Sequence, residues 1–335
     1  MGIGMSTYSG VHLTFGQQLQ RLKERGLEVA DDDAALQQLQ QLGYYRLSAY
    51  WYPMRQSGPV QIDGILGWEV KNEFAAGASF EQAVALYQFD KKLRVLLMEA
   101  IERIEVALRV HIAYSLSAHS IFAQEDPSML DGNFTFRPAA TGRSKHDDWL
   151  LKLSAQVDKS KEEFVSHYKR RYGLPLPIWV VIEVWDFGLL SHFYAGMRYV
   201  DQSSLAERFS IPSPDVAKSW LRTVNYVRNI VAHHSRVWNR GMVENPKFRG
   251  LDAYGDVGSG LAALDASRPY AAFCVIAYLE RKMLPHSDWC VRFSEHLESF
   301  PADGCPKIQM KQMGCLPGWR EHALWADNSG QQERT

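Results

Sequence analysis

Between Arg228 and Arg240 the chain reads Arg228-Asn229-Ile230-Val231-Ala232-His233-His234-Ser235-Arg236-Val237-Trp238-Asn239-Arg240. Three arginines, two histidines and two asparagines fall within thirteen residues. A histidine that titrates near neutrality can take the proton of a ribose 2′-hydroxyl. An arginine fork can hold the charge that develops on the neighbouring phosphate. The chemistry these types fit is metal-free RNA cleavage, with Arg228 and His233 as the candidate pair and Asn229 placed to orient either one. No H-E-x-x-H motif or carboxylate cluster offers a metal site, and no cofactor is expected. The whole chain carries a formal net charge of -1 and so has no strong field to draw in nucleic acid. Local charge differs: from Lys218 to Arg249 seven Lys or Arg stand against one acid, Glu244.

Ser213-Pro214 is a helix start, and the spacing carries that helix on through the motif. At about 100° per residue, Arg222, Asn225, Asn229, His233, Arg236 and Arg240 fall within one polar stripe. Val224, Val227, Val231 and Trp238 lie opposite, so one face packs and the other works. Arg222, Asn225, Arg236, Asn239 and Arg240 are the candidate RNA contacts. Arg228 sits roughly 100° from Asn229, so Arg228 and His233 do not share a face within one helix. Two copies meeting across a two-fold axis would let the arginine of one reach the histidine of the other. The R-x-x-x-x-H spacing says little alone, since a chain of this composition yields about one by chance. Arg281 and His286 form such a match, with Pro285 breaking the helix and no basic surroundings. A module that binds or sequesters RNA without turnover would use the same basic face, its histidines only hydrogen-bonding.

The elements that must position this segment read as helices. The chain has 335 residues, 46% apolar, with ten Trp, fifteen Tyr and fifteen Phe, ample for a buried core. Thr14 with Gln17 makes a capping box for a first helix, and a second runs from Asp31–Asp33 to Gly43. The run Tyr44-Tyr45-Arg46-Leu47-Ser48-Ala49-Tyr50-Trp51-Tyr52-Pro53 is either a packed hinge or a base-stacking surface beside Arg46 and Arg55. Residues 57–78 are a loop or short hairpin after an N-terminal helical extension over 1–56. Ser79 and Gln82 then cap a long helix to about Ser117, whose i,i+4 pairs are Asp90/Arg94, Glu99/Arg103 and Glu105/Arg109. Glu102, Arg103 and Glu105 are surface partners there or supports reaching back to the motif helix.

The helical core covers 79–300, with an irregular insertion at 119–146, a polar helix over 147–172, one or two buried helices over 178–197 broken near Gly188, and a glycine-rich loop at 246–261. Helices resume over 262–283 and 287–300, and residues 301–335 form a tail expected to be disordered past Asp327. With no strong alternating strand pattern, the class is all-α or mainly α. The four cysteines fit neither a zinc nor a disulfide pattern. No apolar run approaches the ~18 to 20 residues of a membrane span, and the N-terminus has no leader pattern. A cytoplasmic protein without membrane association is expected.

The motif segment, together with Leu13-Thr14-Phe15, Leu22-Lys23-Glu24-Arg25-Gly26-Leu27, Tyr44 to Tyr50, Leu86-Tyr87-Gln88-Phe89-Asp90, Ile101-Glu102-Arg103-Ile104-Glu105, Leu176-Pro177-Ile178-Trp179 and Phe187-Gly188-Leu189-Leu190-Ser191, resembles the Abi-like proteins. These are the AbiD and AbiF group of abortive-infection phage-resistance proteins, and the likeness extends over residues 12 to 326. It implies an α-helical HEPN bundle (higher eukaryotes and prokaryotes nucleotide-binding), dimeric, with an R-x-x-x-x-H ribonuclease site at the dimer interface. On this sequence the site residues are Arg228, Asn229 and His233. His234 also falls within the spacing such sites tolerate and stays a second candidate. The resemblance further implies a phage-triggered defence role and, for AbiF-type members, work with a small noncoding RNA.

Overall fold

The computed structural model describes residues 11–62 and 65–326. Among these, fourteen α-helices and one two-stranded sheet are formed, so the chain is mainly α as its periodicity predicts. The disorder expected past Asp327 concerns residues outside those described. Contacts divide the chain into two compact units. The first takes in the described residues up to Lys92 with Glu298–Met310, and the second Leu93–Leu297 with those from Lys311 on.

In the first unit the capping box at α1 (Phe15–Glu24) forms in both directions. The Gln17 N–H donates to Thr14 Oγ1 and the Thr14 N–H to Gln17 Oε1. The helix buries Leu19 and Leu22. Asp31 caps α2 (Asp32–Leu42), and Gly43, at φ 82°, turns the chain directly into α3 (Tyr44–Trp51). The aromatic run therefore packs in part: Trp51 is buried with the Tyr44 ring edge-on at 5.1 Å, and Tyr50 donates to Asp90 at 2.7 Å. Tyr45 stays 91% exposed. A hairpin follows, β1 (Arg55–Ile62) antiparallel to β2 (Ile65–Phe74). Ser79 accepts from the Gln82 N–H and so starts α4 (Phe80–Ser117). The Gln82 side chain does not complete a capping box; it donates to the Pro301 carbonyl and accepts from the Cys305 N–H, tying 298–310 to this unit.

From Leu93 on, α4 belongs to the second unit, burying Leu97, Ile101, Ile104, Leu108 and Ile112 at three- and four-residue spacing. The insertion carries the single-turn α5 (Gly132–Thr135). The expected polar helix is two, α6 (Lys145–Lys159) and α7 (Glu163–Tyr172), because Ser160 and Glu162 are extended. The apolar run likewise splits into α8 (Ile178–Val181) and α9 (Phe187–Gly196). The break falls just ahead of Gly188, where Asp186 caps α9 by accepting from the Leu189 N–H. Next come α10 (Tyr199–Arg208) and α11 (Pro214–Ala232), the latter capped by Ser213 and begun by Pro214. The glycine-rich stretch is not all loop, since it holds α12 (Gly255–Ala262). Then α13 (Pro269–Met283) is buried from Tyr270 to Glu280, and α14 (Trp289–Glu298) closes the series. Trp289 Nε1 donates to the Leu96 carbonyl, fixing α14 against α4. No helix among the described residues is long and apolar enough to cross a membrane, and all four cysteines are buried and free.

Candidate active site

The motif helix ends earlier than its spacing predicts. Helix α11 stops at Ala232, with His233 as its C-cap and His234 at φ 55°. The His234 N–H donates to the Val231 carbonyl at 3.1 Å and the Ser235 N–H to the Ile230 carbonyl at 3.0 Å. These two bonds are the Schellman closure, in which a left-handed residue turns the chain out of the helix and satisfies its last carbonyls. Glycine usually fills that position, and here histidine does. The single helical stripe from Arg222 to Arg240 is therefore corrected. Arg222, Asn225, Asn229 and His233 keep the helical order, whereas Arg236, Asn239 and Arg240 follow in an irregular segment.

That segment folds back on the helix. Arg240 Nε donates to the Tyr226 hydroxyl at 3.2 Å, and Val237 and Trp238 are buried. Trp238 thus packs, as its predicted face requires, but from the segment after the helix. Asn239 is half-buried, and its side-chain oxygen lies in the interior without a hydrogen-bond partner among the described residues. Two of the seven basic residues are drawn off by carboxylates: Lys247 pairs with Asp215 at 2.6 Å and Arg222 with Glu244 at 3.7 Å.

Asn229, His233 and His234 are exposed, while Arg228 is half-buried. Arg228 stands close enough to Glu105 of α4 to act on its titration. Burial pushes the Glu105 carboxyl up from its ordinary value, and the charges of Arg109 and Arg228 oppose that push. Arg109 itself donates to Glu105 and to the Trp185 carbonyl and lies 3.7 Å from Glu183. Asp186, the α9 cap, also acts on Glu105 and pushes the same way as burial. The spacing leaves Glu105 either a surface partner of Arg109 or a support for the motif helix; both residues are half-buried, and Glu105 feels the charge of the motif arginine. The reach of Arg103 to the motif is a second correction. Arg103 binds Glu99 at 2.8 Å, Glu280 at 3.1 Å and Ser287 at 3.0 Å, and Glu102 is exposed one turn before Val106.

Helices α9 and α11 lie against one another along this line. A Cβ on Gly188 would meet Asp186 Oδ1 at 3.1 Å and Asn225 Nδ2 at 3.8 Å, so small size there lets Asn225 approach. One turn on, partial desolvation and then the charges of Lys152 and Arg222 hold the His192 imidazole below its ordinary value, against the opposing charge of Asp186. Nothing in the sequence marks His192, which sits in an apolar run. Among the described residues no group of three His, Cys, Asp or Glu is arranged to hold a metal ion.

Arg228 and His233 thus occupy different surfaces, the arginine half-buried where its charge acts on Glu105 of α4 and the imidazole in the open at the helix end. From the residue after Glu105, α4 presents Val106, Val110 and Tyr114, 49, 54 and 74% exposed and spaced four residues apart on one face. In comparison with known proteins, the family model described as Abi-like protein matches residues 37–239, which runs from within α2 to Asn239 of the motif. No curated protein and no solved structure matches the chain.

Proposed function

The chain belongs to the Abi-like protein family, and from that premise we propose that it is a metal-independent endoribonuclease of the HEPN type whose site is completed by a second copy. Family membership points to abortive-infection phage defence. The observation that carries the catalytic reading is the arrangement at the end of α11: an exposed imidazole at the helix C-cap, one and a half turns from an arginine whose charge acts on a half-buried acid. His233 Nδ1 or Nε2 takes the proton of a 2′-hydroxyl, and the 2′-oxygen attacks the adjacent phosphorus. The bond to the 5′-oxygen breaks, leaving a 2′,3′-cyclic phosphate, and the departing oxygen takes a proton from solvent. Arg228 neutralises the charge on the phosphate oxygens, and Glu105, itself anchored by Arg109, gives that guanidinium an opposite charge nearby. His234 shapes the turn and is not the base. The exposed Val106, Val110 and Tyr114 give the partner copy an apolar surface beside Glu105.

The test is cutting of single-stranded RNA by purified protein in EDTA. Arg228→Ala and His233→Ala, both folded by circular dichroism, are each expected to lose at least ~100-fold in rate, the lower end of what a general base contributes. Cutting by either variant at the wild-type rate overturns the assignment.

One observation favours the binding reading: among the described residues no side chain hydrogen-bonds the His233 ring to fix its tautomer. If the protein instead copurifies with an intact small RNA whose retention needs Arg222, Arg236 and Arg240, sequestration replaces turnover.

A further inference from the structure

Beside α9 lies a cavity of about 380 Å³. That is within the ~300 to 1,000 Å³ typical of small-ligand sites. Its buried lining is apolar and fixed. The Phe134 ring rests on Gly196 so closely that a Cβ there would fall 2.4 Å from it. Trp149 donates its indole N–H to the Leu189 carbonyl at 3.0 Å, and both rings flank His146, which is held by the Gln124 carbonyl at 2.8 Å.

The mouth carries Lys145 and Lys152 of α6 and His192 of α9, all exposed. Two acids also line the cavity, but each is engaged. Asp148 pairs with Arg143 at 2.6 Å, and Asp131 accepts from the Asn133 N–H at 2.9 Å. Among the described residues neither lysine has a carboxylate within 4.0 Å. An apolar floor edged by aromatic rings, with two free ammonium groups and an imidazole at its rim, suits a flat base joined to a phosphate.

The cavity is also in line with the motif. His192 feels both Lys152 and Arg222, and Gly188 brings α9 against Asn225, so polar groups run from the cavity along α11 to Asn229. From Arg222 to Asn229 the helix rises about 10 Å, a reach suited to a short single strand. We propose that this cavity takes one nucleotide of the RNA strand, its base on the Phe134–Trp149 floor and its phosphate at Lys145 and Lys152, one or two positions from the cleaved bond. The assignment rests on the ribonuclease reading for the polymer it names.

Isothermal titration tests it with adenosine 5′-monophosphate and a 2′-O-methyl adenosine hexanucleotide, which the site cannot cut. Wild type is expected to bind both, the hexanucleotide more tightly. Lys145→Glu/Lys152→Glu, on exposed helix positions, should weaken both at least tenfold. No binding by wild type, or wild-type affinity in the double variant, overturns the proposal; equal affinity for the two probes overturns its assignment to a strand. The two readings fail separately. A dead His233→Ala enzyme with unaltered binding in the lysine variant removes only the cavity, and a fully active His233→Ala enzyme with binding lost in that variant removes only the catalytic assignment.

Discussion

His234 does with an ordinary side chain what helices usually assign to glycine. At φ 55° a non-glycine residue costs about 1 to 2 kcal/mol relative to the right-handed region. His234→Gly is therefore expected to raise stability by about 1 kcal/mol in urea melts and to leave RNA cutting near wild type. Stabilisation accompanied by loss of cutting would move the acid–base role from His233 to His234. This residue also explains where sequence reasoning stops. The types in the motif are legible, as is the separation of Arg228 from His233 around the helix. The end of the helix is not, because no glycine or proline follows Ala232 and the spacing reads on to Arg240. That a histidine accepts the left-handed turn depends on Val237 and Trp238 being buried beyond it, a tertiary gain that no local rule contains.

At the scale of elements, α4 shows what periodicity can and cannot say. Its length, its Ser79 start and the pairs Glu99/Arg103 and Glu105/Arg109 follow from spacing and are present. Spacing does not reveal that each pair is shared with a distant helix, Arg103 with Glu280 and Glu105 with the surroundings of Arg228. Glu280 is 1% exposed, and burial lifts its carboxyl above the ordinary range while Ser287 and Arg103 pull it back. A carboxyl raised in the folded state contributes stability below its unfolded value, and that contribution is lost as pH rises through the folded value. Arg103→Ala removes one opposing charge and raises Glu280 further. The variant should lose about 1 to 3 kcal/mol at pH 8, less than a fully buried pair would because Arg103 is partly solvated. The loss should shrink toward pH 5. Thermal melts at the two pH values check this, and a pH-independent loss would mean that Arg103 acts through packing rather than charge.

At the scale of the molecule, the question is whether one chain suffices. Arg228 acts by its charge on Glu105, His233 stands open at the helix end, and the valine and tyrosine face that follows Glu105 on α4 is exposed. In the proposed dimer, a two-fold partner seated on that face would bury the apolar stripe and offer its own histidine to the arginine. Val110→Asp places a charge in the middle of the stripe, and light scattering should show a dimer constant weakened at least about thirtyfold, the effect of a ~2 kcal/mol interface residue. Cutting should fall with the dimer. Mixing decides how the site is shared. Arg228→Ala protein retains His233, and His233→Ala protein retains Arg228, so a dimer containing one of each has one complete composite site and one with neither group. Unfolded, mixed and refolded in equal amounts, two inactive proteins should recover about one quarter of wild-type cutting, since half the dimers are mixed and half their sites are whole. A site built within a single chain gives no recovery in the same mixture, and a Val110→Asp monomer that still cuts at the wild-type rate removes the partner from the mechanism altogether.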